Sequence, residues 1–257
     1  MTGTFTPAPG AAPLPRMVLA QARMEAKLML RNGEQLLLAV VIPVIVLIGM
    51  VRGAGRLGLD YSHPVVDEVT PGVLALAVMS TAFTSLAIAT AFERRYGILK
   101  RLGASPLPRS GLLAGKVGAL LVIEALQLLV LGVVGQLLGW SPVFSAASVG
   151  AAVLAVLLGT FAFAALGLLM AGALRAEATL AAANLVYLLL LAGGAVVLPA
   201  SAYGGFGHVA RWLPSGALGE AMRDAFLHGT LAWRDLAVLL GWAVAGTFAT
   251  TRTFSWE

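Results

Sequence analysis

The sequence predicts an all-α, polytopic membrane protein with six transmembrane helices. Three observations carry that prediction. The 257 residues are 59% hydrophobic and only 11% charged, where a soluble domain carries roughly 25% charged residues. The apolar residues fall in runs close to the length that crosses a bilayer, about 17–25 residues. Lysine and arginine collect in the segments between alternate runs, which sets an orientation.

Residues 1–13, rich in Pro, Thr, Ala and Gly, read as a disordered tail. Residues 14–257 read as one transmembrane domain. Leu14–Gly33 reads as an amphipathic helix. Arg23, Lys27 and Arg31 recur every four residues and form a basic stripe, while Leu14, Met17, Val18, Met24 and Leu28 give a looser apolar face. Such a helix lies in the membrane interface with its cations toward anionic headgroups. The plainer alternative is a positive flank of the first span.

The spans follow at Gln35–Val51, Val69–Phe92, Leu112–Leu138, Val149–Leu174, Thr179–Leu198 and Leu236–Thr251. The first contains Pro43 and, at a rise of ~1.5 Å per residue, still covers roughly 25 Å. Pro71 falls in the first turn of the second span, where a missing N–H costs least. Pro199 ends the fifth. The first apolar run begins too late for a secretory signal. The absence of cysteine excludes disulfides and thiolate metal sites.

Counting basic residues places 11 on one side, in the amino-terminal segment, the second-to-third loop, the fourth-to-fifth loop and the tail, against five on the other. That bias puts both termini in the cytoplasm of a cell-membrane protein. Pro199–Arg234 then lies outside. Within it Ser215 caps a helix running to about His228, with Ala217, Leu218, Ala221, Met222, Ala225 and Phe226 on one face and Glu220, Arg223 and Asp224 off it. This helix is too short to span. It is either a re-entrant or surface element at the outer leaflet, or an amphipathic connector.

Between the second and third spans stands an island of charge, Glu93-Arg94-Arg95-Tyr96-Gly97-Ile98-Leu99-Lys100-Arg101, closed by Ser105-Pro106. Each Lys or Arg at the bilayer centre costs about 2.5–3.5 kcal/mol, so the island lies at an aqueous face as a short charged helix.

Catalytic patterns are missing. Gly111-Leu112-Leu113-Ala114-Gly115-Lys116 has three residues between its glycines rather than four, and Val117 follows instead of Ser or Thr, so it is no phosphate-binding loop. His63, His208 and His228 are scattered in sequence, and no metal site is expected. Polar residues do fall inside the spans. Glu124 and Gln127, a turn apart, either line a pathway or join helices. Ser80, Thr81, Thr84 and Ser85 share a broad face, their plainer role being back-bonding to helix carbonyls. Asn184 and Tyr187 in the fifth span are similar pathway candidates. Gly135 and Gly139 form a small-xxx-small pair.

Six spans, cytoplasmic termini, a leading interfacial helix and the charged loop resemble the permease subunit of an ABC-2-type exporter. The resemblance rests chiefly on Glu93–Leu102 with Pro106, Leu107 and Arg109, and is supported by Trp212-Leu213-Pro214 with Leu218 and Arg223, and by Arg252–Trp256. It implies that Glu93, Arg94, Arg95, Lys100 and Arg101 dock a separate ATPase subunit, with Tyr96 and Leu99 packing into its cleft. Arg175 and Glu177 would make a second, smaller contact. It implies two permeases, identical or paralogous, around a central pathway in the lipid, with ATP and Mg on the partner ATPases and no cofactor in this chain. Size and general pattern resemble the drug-resistance branch, of the daunorubicin-resistance kind, with polysaccharide or lipid-linked glycan export the alternative. Two readings from other classes stand beside it: a lipid head-group enzyme, for which no carboxylate or histidine cluster is visible, and a membrane adaptor without transport.

Overall fold

The computed structural model describes residues 12–57 and 63–253, without the side chains of 34–38 and 54–57. The expected tail up to residue 11, the Arg56 side chain and the basic-aromatic end Phe254–Trp256 lie outside the described residues. Among the described residues every regular element is a helix. In chain order these are α1 (Leu14–Arg31), α2 (Gly33–Leu57), α3 (Val65–Arg95), the short α4 (Ile98–Gly103), α5 (Arg109–Leu137), α6 (Ala146–Ala173), α7 (Ala176–Gly193), α8 (Pro214–Arg223) and α9 (Trp233–Thr253). Four of them, α3, α5, α6 and α7, are long and apolar enough to cross a membrane; in α2 the apolar part is the shorter Ala39–Gly53. The chain is therefore a polytopic membrane protein.

The centre of the bundle is α3, buried almost continuously from Val66 to Met79. It begins at Val65, so Pro71 lies inside the helix rather than in its first turn. At Ser80–Ser85 it widens into a π turn. There α6 comes close: a Cβ on Gly167 would lie 2.8 Å from the Phe83 carbonyl oxygen. Alanine and glycine on α6 thus admit the widened turn by backbone approach, as small residues do between membrane helices.

Two expectations about glycine and helix length change. Gly135 does pack closely, against Thr70 of α3, but Gly139 lies past the end of α5 with φ +96° and faces open space. They form no paired helix face. The fifth expected span, α7, stops at Gly193, not at Leu198, and Gly194–Leu198 runs on as irregular backbone.

That irregular stretch is buried, with Ala195 and Val196 fully so. Its carbonyls converge on a single cation. Arg223 Nη1 donates to the carbonyls of Val196 and Val197, each at 3.2 Å, and Nη2 to those of Ala195 at 3.0 Å and Leu198 at 3.3 Å. Nη2 also meets Glu220 Oε1 at 3.2 Å, and that oxygen accepts from the Ala200 N–H at 2.8 Å. Burial by itself pushes the Glu220 carboxyl up; Arg223, the Ala200 N–H and Arg211 outweigh it and hold the group below the usual carboxylate range. Glycine makes the cage possible on two sides, because a Cβ at Gly72 or Gly219 would meet the Val197 or Val196 oxygen at 2.5–2.6 Å.

Helix α8 is consequently buried on every side, including Glu220 and Arg223. It is neither a surface helix nor an amphipathic connector. Its amino-terminal cap is Leu213, followed by Pro214. Ser215 does not cap it, because its hydroxyl donates instead to the Gly194 carbonyl at 2.9 Å. The helix continues through a π turn at Asp224–His228, as far as the sequence suggested.

Removing Arg223 strips donors from four buried carbonyls and a carboxylate. Arg223→Met should cost about 3–5 kcal/mol, the usual penalty for orphaning a buried charge. Arg223→Lys should recover little, since one ammonium lacks the planar fork. Thermal unfolding of the purified protein checks both. Because the folded Glu220 carboxyl is held low, the pair's contribution is present at neutral pH and is lost only as pH falls through that lowered value. The stability difference between parent and Arg223→Met should shrink in the same acid range.

Candidate functional site

The charged island is built by a break between two helices. After Arg95 the chain turns at Gly97, whose φ of +68° suits glycine alone without strain, and restarts as α4. Ser105 closes the segment: its hydroxyl donates to the Leu102 carbonyl at 2.6 Å and accepts the Leu107 N–H at 3.4 Å. Pro108 then leads into α5.

Half of the island turns inward. Lys116 of α5, only 4% exposed, donates to Glu93 at 2.7–2.8 Å and to Glu25 of α1 at 3.0 Å. Gln21 Nε2 reaches the same Glu25 oxygen at 2.9 Å. One ammonium thus ties α1, the end of α3 and the start of α5. The glycines that mimic a phosphate-binding loop serve this joint. A Cβ at Gly115 would come within 2.6 Å of the Gln21 side chain, and one at Gly118 within 3.2 Å of Ala22. So α1 packs through Gln21, Ala22, Glu25 and Ala26. The apolar face read from sequence stays exposed at Leu14, Met24 and Leu28, and the stripe Arg23, Lys27 and Arg31 is exposed as well.

Arg94 also points inward. Its guanidinium donates to the carbonyls of Gly172 and Leu174, placing a cation at the carboxyl end of α6, where the helix dipole favours it. Arg95 forms an ion pair with Glu177 in the first turn of α7. The two charged segments that the sequence kept apart, the island and the Arg175–Glu177 turn, therefore meet on one face. The outward side of the island consists of Tyr96, which is 63% exposed and stacks on Phe92, together with exposed Lys100 and Arg101. Leu99 is only 2% exposed. It packs within its own chain, so it is not free to enter a partner's cleft.

A second cluster lies between α2, α3 and α7. Ser80, Thr84, Asn184 and Tyr187, four of the six pathway residues read from sequence, line one groove of about 400 Å³ with Asn32, Ser85, Ala39, Ile42 and Ile88. Asn184 Nδ2 donates to the carbonyl of Leu180 at 2.9 Å in its own helix. The groove takes shape at the π turn, a feature frequent at functional sites. It alternates hydrogen-bonding groups with aliphatic wall.

The described residues form a helical membrane bundle, and the sequence matches a known family. A family model described as ABC-2 family transporter protein matches residues 62–252, well over half of the chain. The chain belongs to this ABC-2 family. It is a membrane permease subunit of an ABC transporter, not a catalytic subunit, and membership implies association with ABC ATPase subunits. No curated protein matches the chain.

The other two residues read from sequence as pathway candidates do not line the groove. Gln127 is fully buried and fully used. Its Oε1 accepts from Thr81 at 2.9 Å, and its Nε2 donates to the Ala39 carbonyl at 2.9 Å. Ala39 is four residues before Pro43, which has no N–H to give that carbonyl. Gln127 replaces the lost hydrogen bond. Glu124, 1% exposed, accepts from Thr160 of α6 at 2.6 Å through Oε2. Its other oxygen has no hydrogen-bond partner among the described residues. Helix joining is thus the observed role of both side chains. The sequence also missed one meeting at the far end of the bundle: the His63 and His228 rings stand edge to face, 5.8 Å apart.

Lys116→Met should leave the partly buried carboxylates of Glu25 and Glu93 without their shared cation. Hydrogen exchange in α1 is then expected to rise about tenfold or more, the factor for about 1.4 kcal/mol. Adding Glu25→Gln and Glu93→Gln should bring it back toward the parent. Unchanged exchange in the single variant would show that α1 is held by its glycine contacts alone.

Proposed function

We propose that this permease is the transmembrane half of an ATP-driven exporter for an amphipathic drug, antibiotic or lipid-like molecule. Six helices cross the cell membrane: α2, α3, α5, α6, α7 and α9. Both termini and the charged face are cytoplasmic, as the excess of basic residues on that side supports. Helix α1 lies in the interface, its exposed Leu14, Met24 and Leu28 toward lipid and its basic stripe toward headgroups. A second permease, identical or paralogous, pairs with it, and two ATPase subunits carrying ATP and Mg dock from the cytoplasm.

The observation that carries this reading is the division of labour within the island. Glu93 and Arg94 are engaged inside the chain, and Arg95 is paired with Glu177. These pairs support the docking surface rather than enter the ATPase. Tyr96, Lys100 and Arg101 stand outward on a rigid mount, with Arg175 exposed nearby in sequence to Glu177. A push on α4 reaches α3 through Gly97, α6 through Arg94, α7 through Arg95, and α1 and α5 through Lys116. Closure of the ATPase dimer on ATP thereby moves most of the bundle at once. The groove of Ser80, Thr84, Asn184 and Tyr187 is the stretch of pathway that this motion opens. Its mixed polar and aliphatic lining suits an amphipathic cargo. The drug-resistance branch of the family fits this lining and the short outer segments.

Lys100→Glu with Arg101→Glu changes only exposed side chains. The variant is expected to insert and fold normally, yet to lose co-purification with the ATPase and transport-coupled ATP hydrolysis. An unchanged complex with unchanged transport would sink the docking assignment. Tyr187→Phe removes a hydroxyl from the groove lining while keeping the ring. It should change KM and the ranking of transported compounds by severalfold, leaving ATPase binding intact. If every compound is affected equally, the groove is not where cargo is read.

A further inference from the structure

A second groove lies on the opposite flank of the bundle. Helices α5 and α6 are joined where Thr160 donates to Glu124. Beyond that contact, away from the charged face, α8 and its π turn come between them, with Met222 and Phe226 at the floor of a groove of about 690 Å³. The Val143 N–H donates to the Phe226 carbonyl at 2.8 Å and fixes the floor to the α5–α6 connection. Leu129 and Val133 of α5 and Val153 of α6 line the groove and are each more than half exposed. Both walls belong to helices long and apolar enough to cross a membrane, so this side opens to hydrocarbon.

Two residues with polar groups, Trp140 and Gln136, break the apolar lining of the groove. Trp140 lines its far end, packs edge to face on Phe226 with ring centroids 5.2 Å apart, and is only 6% exposed. Its indole N–H has no acceptor among the described residues. A buried donor left bare is costly. Tryptophan belongs where hydrocarbon gives way to headgroups, and Gln136, exposed on the last turn of α5, lies beside it. The acceptor that a bilayer supplies at this level, attached to an apolar chain, is a glycerol ester carbonyl.

We propose that this groove binds one phospholipid, its acyl chain lying between α5 and α6 and its ester carbonyl accepting from Trp140 Nε1. The site rests on the chain crossing a membrane and does not depend on the docking face or on the transported cargo. Gly132 gives a direct way to close it, because a side chain there meets open space inside the groove.

The test is native mass spectrometry of the full chain in detergent, titrated with dipalmitoylphosphatidylcholine. The parent should retain one lipid well above the others. Gly132→Phe should weaken that site about tenfold, equivalent to about 1.4 kcal/mol, and Trp140→Phe should weaken it by a smaller factor. Ala125→Leu, a second filling change on the exposed wall, should act as Gly132→Phe does and guards against a variant that fails to fold. Leu185→Phe, exposed on α7 and outside the groove, should leave the affinity at the parent value. Equal retention by Gly132→Phe, Ala125→Leu and Leu185→Phe overturns the site in favour of a non-specific lipid annulus. Loss of a chain–chain dimer in Gly132→Phe with no loss of lipid overturns it in favour of a protein occupant. Unchanged lipid affinity in Trp140→Phe overturns the indole–ester contact.

Discussion

Inside hydrocarbon no water replaces a missing hydrogen bond, so every interrupted helix must find its partners within the protein. Among the described residues, three such places are answered by a particular side chain. Pro43 frees the Ala39 carbonyl, and Gln127 takes it. The π turn in α3 carries the buried Thr81, whose hydroxyl donates to the same glutamine. Gly194–Leu198 leaves helical geometry altogether, and the guanidinium of Arg223 gathers its four consecutive carbonyls. The bundle is thereby pinned at breaks, which are the places where a helix can most easily change angle.

The charged face follows the same rule for ions. A lysine at the start of a membrane helix either reaches water or finds counter-charges. Lys116 finds two, from elements 91 and 23 residues away in sequence. The outcome is a joint rather than a loop. Whatever contacts Lys100 and Arg101 presses on a segment whose inward groups grip α1, α5, α6 and α7. A flexible loop of the same charge would absorb that force; a clamped one passes it on. The paired Arg95 and Glu177 are both largely exposed and contribute little stability. Their value lies in fixing where the second charged turn sits.

Much of the architecture was legible because hydropathy and length are direct signals of membrane crossing. Each expected span overlaps a helix, the fifth only as far as Gly193, and the charged island and the helix reaching His228 were visible from spacing alone. What escaped were side chains whose partners are far away in sequence. Nothing local to Arg223 announces that it serves the backbone of residues 195–198. Ser215 has the residue type of a cap, yet it is drawn to Gly194 because a broken helix end there offers a bare carbonyl. Of the residues read as pathway candidates, Ser80, Thr84, Asn184 and Tyr187 do share one groove, while Glu124 and Gln127 do not join them. Helical periodicity places a residue on a face but does not say which neighbour that face meets. Gly111 and Gly115 illustrate the same limit: their spacing looks like a nucleotide loop, and only the packed helix α1 reveals what the missing side chains make room for.

The decisive property is where an ATPase subunit touches this chain. Hydrogen–deuterium exchange of the purified permease, alone and bound to its ATPase with a non-hydrolysable ATP analogue, reads that contact directly. Docking on the charged face predicts slowed exchange at Tyr96–Arg101 and at Arg175–Glu177, with α8 and its carbonyl cage protected no more than before. Protection confined to the α8 end, or no change at Tyr96–Arg101 in a complex that stays assembled, would contradict it.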